Sequence, residues 1–337
     1  MKAATIIEIA ERAGVSMKTV SRVLNGEPNV RPSTQEKVRK AAKELNYTPN
    51  ISARSLASKK SFIIVHLHDN PNPDYLDKVY QGVHKTCREA GYFAVMEPLA
   101  QPYANNARDY LDQFKIDGLI LSPPICDDAA VLDLLIDRAI PFVRISPTTN
   151  PDISSSTYMN EAEAVERMTS LLIDLGHKNI AFISGPDKHG SSHVRATGFK
   201  NALRKAGISA ELCPVIQGDF SVKSGFSAGQ DILDRYNAVT AVFAANDDMA
   251  TGVVMAALKS GRDIPKEFSV AGFDGSRLGD IICPTLTTLR QPVRDLAAKA
   301  TELLLLEIFN PDQDKQHIEF DVDLLVRGTT SSRGVLT

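Results

Sequence analysis

The chain has 337 residues, 43% hydrophobic and 23% charged, with no Trp and a formal net charge of −3. That length exceeds what one core usually organises, so two or three domains are expected, and the composition is that of a soluble globular protein. No apolar run approaches a bilayer span, no secretory h-region opens the chain, and Cys87, Cys126, Cys213 and Cys283 form no CxxC pair. These features imply a cytosolic protein with reduced thiols, no zinc centre and no membrane partner.

The mild overall charge hides a split. Residues 1–60 carry twelve Lys and Arg against five Glu and no Asp, a net of +7, which leaves −10 on the remainder. A basic head on an acidic body implies an anionic partner for the head alone. Within "IIEIAERAGVSMKTVSRVLN", residues 6–25, apolar side chains recur at Ile9, Ala13, Val15, Val20 and Val23. Ala10 is small where two helices would cross, and Gly14 falls where a tight turn needs a permissive backbone. Ser16 is placed to cap the second helix. With Val20, Val23 and Leu24 facing inward, Lys18, Ser21, Arg22 and Asn25 share the outer face, and their side chains suit phosphates and the edges of guanine and adenine. A solvated surface helix would also be polar outside, but it would not need the turn glycine, the cap and the basic face together. A third helix, about Pro32 to Leu45, adds Lys37, Arg39, Lys40 and Lys43 and closes an all-α helix-turn-helix domain over residues 1–46.

Residues 47–60, "YTPNISARSLASKK", read as a hinge. Pro49 stops the third helix and Asn50 can cap a new one, but two turns are too short to hold alone in water. Such a helix would order on contact with DNA or with a second copy of itself. Leu56, apolar between Arg54 and the Lys59–Lys60 pair, reads either as a contact with the neighbouring domain or as a wedge in a minor-groove base step.

The stretch from Thr5 to Ser61 resembles the DNA-binding head and hinge of the LacI/GalR family of bacterial transcription regulators, and the body follows with the right length and order. The resemblance implies that Ser16, Thr19, Ser21 and Asn25 hold phosphates or position the second helix. It implies that Met17, Lys18 and Arg22 read bases and that Leu56 is the minor-groove wedge. Thr5, Asn50 and Ala53 complete the implied DNA-facing set. Met17–Lys18 is one variant among several, so the operator sequence does not transfer from other members.

From Ser61 onward short β-rich runs alternate with helical ones. "FIIVHL" from Phe62, "FAVMEP" from Phe93, "GLILS" from Gly118 and "FVRIS" from Phe142 form one set of candidate strands. "IAFIS" from Ile180, "CPVIQG" from Cys213, "AVFAA" from Ala241 and "FSVAGFD" from Phe268 form a second. Amphipathic segments at 74–90, 161–175, 194–206, 221–235 and 248–260 lie between them. Two such βα sets imply an α/β body of two doubly wound parallel sheets. Ligands on these sheets bind beyond the carboxyl ends of the strands. Those ends are unusually polar here: His68, Asp69 and Asn70, then Ser122, Ser146, Asn246, Asp247 and Asp274. Turns and helix caps use the same residue types, but their repetition at strand ends points to a crevice for a hydroxyl-rich ligand. In it the Asp274 carboxylate would accept two hydroxyl hydrogen bonds, and Tyr75 and Phe220 could supply aromatic platforms.

The family's effector core is similar to periplasmic sugar-binding proteins. By that resemblance Asp69, Tyr75, Ser122, Arg195, Phe220, Asn246, Asp274 and Gln291 line the effector cleft, with Ser146 beside them. The resemblance also divides residues 61–337 into a subdomain of about 61–160 and 291–320 and another of about 161–290 and 321–337. "LLVRGTTSSRGVLT" offers no counterpart to the family's tetramer-forming leucine helix, so a homodimer is expected.

Other signals point elsewhere more weakly. "GFSAG", Gly225 to Gly229, has G-x-S-x-G spacing, but Ser227 falls inside a segment that reads as one helix, not on a strand-to-helix turn. His189 and His193 are four apart, yet "KHGSSH" lacks the Glu of a metalloprotease helix. With no Walker motif and no GxGxxG loop, neither a cofactor nor a metal is expected. The reading is a sequence-specific DNA-binding regulator, most simply a repressor, answering to a sugar or sugar phosphate, with a nucleobase as the alternative. A solute-binding protein and an enzyme are the rivals from other classes.

Overall fold

The structure is a computed structural model that describes residues 4–24, 30–45, 47, 55, 58 and 60–333. Asn25, Asn50, Ala53 and Leu56, and with them the hinge helix, lie outside the described residues. The chain separates into two units, Met1–Ser61 and Phe62–Thr337.

In the first unit, α1 (Ile6–Ala13) opens at Thr5, whose hydroxyl accepts the Glu8 amide while the Glu8 carboxylate accepts the Thr5 amide. This reciprocal cap satisfies two backbone donors that the helix start leaves exposed. The helix ends at Gly14 in the left-handed region, φ +66°, where a side chain would meet open space, so the turn requires a backbone conformation rather than room. Ser16 Oγ accepts the Thr19 amide at 3.1 Å and caps α2 (Met17–Leu24). Then α3 (Pro32–Glu44) closes over both, with Ile9, Ala10, Val20, Val23, Val38 and Ala41 as the shared core. Arg12 pairs with Glu44 at 2.9 Å and ties α1 to the last turn of α3.

The second unit begins with β1 (Ile63–His68), α4 (Pro73–Glu89), β2 (Phe93–Pro98), α5 (Tyr103–Gln113), β3 (Gly118–Leu121), α6 (Ala129–Asp137), β4 (Phe142–Ile145) and β5 (Ser156–Met159). It continues through α7 (Glu161–Asp174), β6 (Ile180–Ser184), α8 (Gly190–Lys205), β7 (Val215–Gln217), α9 (Val222–Arg235) and β8 (Ala241–Ala244). Next come α10 (Asp247–Lys259), β9 (Ser269–Asp274), α11 (Arg277–Ile281) and β10 (Thr287–Arg290). The chain returns through α12 (Val293–Phe309), β11 (His317–Phe320) and β12 (Asp323–Leu325).

Two six-stranded sheets result, in the orders β11-β5-β4-β3-β1-β2 and β12-β10-β9-β8-β6-β7. The first is wholly parallel, and the second is parallel except where β12 runs antiparallel along β10 at its edge. The all-α head and α/β body are as expected, with that one antiparallel edge as the departure. All eight candidate strands form, although Phe62 sits at φ +58° and β1 starts one residue later than "FIIVHL" suggests. The chain passes from the first sheet to the second after β5, back after β10 and across again after β11.

Central strands read as near-continuous apolar runs because helices cover both faces. Phe182, Phe199, Phe243 and Phe273 fill the second sheet's core and are fully buried. The "GFSAG" glycines belong to this packing. A Cβ on Gly225 would stand 2.1 Å from the Met249 carbonyl oxygen, and one on Gly229 would stand 3.0 Å from the Ala256 Cβ. They form a seam along which α9 closes on α10, and Ser227 lies within α9.

Candidate functional site

On the head, Met17, Lys18 and Arg22 are exposed on α2, with Ser21 half-buried between them. Ser16 and Thr19 join their hydroxyls at 2.9 Å at the start of that helix, and Thr5 caps α1. One short helix therefore presents Lys18 and the Ser16 and Thr19 hydroxyls at its amino-terminal end, with Arg22 exposed in its last turn.

On the body, a cleft opens at the carboxyl ends of strands from both sheets. Tyr75, Ser146, Arg195, Phe220, Asn246, Asp274 and Gln291 all line it. Three of these, Ser146, Phe220 and Asp274, hold left-handed backbone at φ +48°, +68° and +134°. Such conformations cost about 1–3 kcal/mol each in non-glycine residues and persist where the surroundings over-determine them, often at ligand sites.

Arg195 is buried, with two of its five N–H donors hydrogen-bonded. Its Nε donates to Glu161 Oε2 at 2.7 Å, its Nη1 donates to the Ala245 carbonyl at 2.6 Å, and its guanidinium lies 3.8 Å over the Phe273 ring. Asn246 caps α10 by accepting the Met249 amide and donates through Nδ2 to the Phe220 carbonyl at 2.9 Å, which fixes the aromatic wall. His189 meets the Phe220 ring edge-on at 5.3 Å. Burial, aided by the Lys188 charge, lowers its pKa to about 4, so its imidazole is neutral.

Asp274 departs from the expected charged acceptor. Burial, and then the Asp247 charge, push its carboxyl well above the usual carboxylate range, against the pull of Arg195 and Gln291. Asp247, itself buried, is raised to about 6 although Thr288 and the Ser276 amide donate to it. Gln291 Nε2 donates to Asp274 Oδ1 at 2.5 Å. The environment therefore favours an acid with one oxygen accepting from Gln291 and the other able to donate.

Two expected cleft residues stand elsewhere. Asp69 is committed at the rim, where its Oδ2 accepts from the Tyr103 hydroxyl at 2.5 Å and from Lys188 Nζ at 2.8 Å. Ser122 is fully buried, 2.6 Å from His66 Nε2. The "HDNPNPDYLD" loop instead offers Asn70 and Asn72, and Asn72 caps α4 by accepting the Asp74 and Tyr75 amides. Glu161, His189, Ser191 and Pro123 also line the cleft without having been placed there from sequence. Only Glu161 had a usable signal, since a buried Arg demands a carboxylate, yet it begins a helix 34 positions away.

Residues 5–50 match the bacterial regulatory proteins of the lacI family, and residues 169–330 match the periplasmic binding protein-like domain. The HTH-type transcriptional repressor PurR of Vibrio atlanticus is 33% identical over 335 residues, covering 98% of this chain and 99% of its own. The Lac repressor dimer bound to operator and the anti-inducer ONPF superposes with a TM-score of 0.78 at 28% identity, covering 98% of this chain and 100% of that one. A transcriptional regulator CelR–cellobiose complex superposes with a TM-score of 0.74 at 28% identity, over 97% and 99% of the two chains. No described helix is long and apolar enough to cross a membrane. The head, the paired sheets and these likenesses agree, and the chain belongs to the LacI family of bacterial transcriptional regulators.

Proposed function

We propose that this regulator is a homodimeric repressor that holds a pseudo-palindromic operator through its heads and responds to an uncharged sugar bound in the cleft. The observation that carries the choice of ligand is the engagement of Arg195, the one cation lining the cleft among the described residues. Glu161 neutralises it, and Asp274 shares the site. A phosphate dianion would find no net positive charge to offset its desolvation, whereas a polyol can exchange hydroxyl hydrogen bonds with Asn70, Gln291, Asp274 and Ser146. Cellobiose in the CelR complex supports the same class. Exposed Met255 and Leu258 on α10 and Ile281 on α11, 50%, 51% and 70% accessible, suit pairing with a second copy.

Two heads on a dimer read half-sites related by the dimer axis. Coupling between cleft and operator is reciprocal and typically amounts to about 1–3 kcal/mol. The test is to select a pseudo-palindromic site from random duplexes with the purified protein. Its affinity is then measured with cellobiose, glucose, glucose 6-phosphate or hypoxanthine present. A response to a neutral sugar alone supports the proposal. A response confined to the phosphate or the nucleobase replaces the ligand class, and a monomer by sedimentation overturns the dimer.

A further inference from the structure

We infer that Thr148 and Gly190 form a steric stop that fixes how narrowly the cleft can close, and so set the thickness of ligand its two walls can grip. The inference deepens the sugar reading and rests on it for the ligand, but the stop itself can be tested without one.

Thr148 follows β4 of the first sheet, two residues after Ser146 of the cleft lining. Gly190 opens α8, which follows β6 of the second sheet, and stands between His189 and Ser191 of the same lining. The two residues meet closely. A Cβ on Gly190 would stand 3.0 Å from the Thr148 Cβ, 2.8 Å from its Cγ2 and closer still to its Oγ1. Backbone conformation does not call for glycine here, because Gly190 begins a helix and is not among the glycines at positive φ. Space calls for it.

Thr148 has little freedom to yield, because its loop is held by both its donors and its acceptors. The Asp127 carboxylate accepts the Thr148 hydroxyl at 2.7 Å and amide at 2.9 Å, then the Thr149 hydroxyl at 3.0 Å and amide at 3.1 Å. Arg144, fully buried, donates to the carbonyls of the same loop. Its Nη1 reaches Cys126 and Thr149, its Nη2 reaches Asn150 and Pro151, and its Nε meets Ser154 Oγ at 2.9 Å. All five of its N–H groups are thereby used. Rotating Thr148 away would break its bond to Asp127, so a side chain at position 190 must displace the wall as a unit. Lys188, two residues before Gly190, pairs with Asp69 across the same rim at 2.8 Å. Such a partly exposed ion pair adds little; it draws the rim together, and the Thr148–Gly190 contact decides where it halts. Arg144 and Asp127 are thus positioning residues for the stop.

The direct test uses full-length protein carrying Cys283→Ser, with nitroxides attached at Arg108→Cys on α5 and Lys200→Cys on α8, both exposed positions. Diluted with unlabelled chain, it lets pulsed EPR read the distance between the two halves of one body. Gly190→Ala should shift that distance, and Gly190→Leu should shift it further in the same sense. Adding Thr148→Gly should bring the Gly190→Ala distance back to wild type, and Thr148→Gly alone should move it the opposite way. The wild-type distance in both Gly190 variants overturns the stop, as does a shift that Thr148→Gly fails to reverse. For the ligand, cellobiose and glucose are titrated by calorimetry. Overpacking the closed form should cost Gly190→Ala roughly five- to 150-fold in affinity, restored by Thr148→Gly in the same chain. Unchanged affinity beside a shifted distance would deny the stop its hold on the ligand. If neither sugar binds the wild type, the sugar reading fails and the distance alone decides the stop.

Discussion

Lys18, Ser21 and Arg22 stand on one eight-residue helix, whereas Asn70, Ser146, Asn246, Asp274 and Gln291 reach the cleft from the ends of five different strands. The head's side chains are solvated and rest on a core of six buried apolar residues. In the cleft Asn246 and Gln291 are buried and Asn70, Ser146 and Asp274 half-buried. Gln291 is bonded to Asp274, Asn246 is bonded to the Phe220 carbonyl, and Ser146 and Asp274 are held on left-handed backbone. Recognition in the head is therefore separable from folding, and recognition in the cleft is not. A substitution on the exposed face of α2 should change DNA binding and leave stability alone. A cleft substitution should disturb both the ligand and the body.

The sharpest way to break that contrast is Arg195→Ala, which strands the Glu161 carboxylate in a buried site. Removing one partner of a buried ion pair typically costs about 3–5 kcal/mol, read as a lower denaturation midpoint of the body. A denaturation curve identical to wild type would mean the pair is dispensable and the cleft as tolerant as the head.

The next effect is in pH. Asp247 and Asp274 have raised pKa values in the folded state, so from about pH 4 upward the native chain binds more protons than the unfolded one. Their contribution is complete below the unfolded carboxylate pKa and is lost as pH rises through the folded values, at roughly 1.4 kcal/mol per pH unit separating a group's folded and unfolded pKa. His189 and His66 act in the opposite sense, contributing stability above about pH 6.5 that is lost as pH falls through about 4 and 3. Asp274→Asn should flatten the loss on the alkaline side without moving the acid limb. Parallel stability–pH curves for variant and wild type would place the proton elsewhere.

Arg22→Ala should cost about 1–3 kcal/mol on operator and relax base preference at one position, with the melting temperature unchanged. Arg39→Ala on α3 should cost less and leave base preference alone. Equal losses for Arg22→Ala on operator and random duplex would restrict it to phosphate. The smallest effect belongs to Thr5→Ala, which removes the α1 cap and should lower head stability by about 1 kcal/mol. A head that melts as before would show the cap to be redundant with the Arg12–Glu44 pair.

What was legible in the sequence follows the same division. The head could be read because its spacing is local: Gly14, Ser16 and the Val20–Val23 face lie within ten residues of one another. In the body, long apolar strands and helix periods placed eight strands. The polar strand ends Asn70, Ser146, Asn246 and Asp274 line the cleft, whereas Arg195 and Gln291 came only from the family resemblance. The short, half-exposed β11 and β12 gave no periodic signal, and the antiparallel edge that β12 forms on β10 was invisible. Asp69 and Ser122 are not among the residues lining the cleft, and strand-end polarity does not reveal which partner a side chain takes. Lys188 claims Asp69 from across 119 positions, and His66 claims Ser122 from across 56. Asp274's proton was likewise hidden, since it depends on Asp247, Gln291 and burial, and these converge only in the fold.

The central claim is that a neutral ligand in the body's cleft controls the head's grip on DNA. It is tested most directly by titrating a neutral sugar into wild type and Asp274→Ala on the selected operator, following anisotropy. The account predicts a change in operator affinity of roughly 5- to 150-fold for wild type. It predicts the same unliganded affinity for Asp274→Ala, with the response gone. An equal response in both proteins would contradict it.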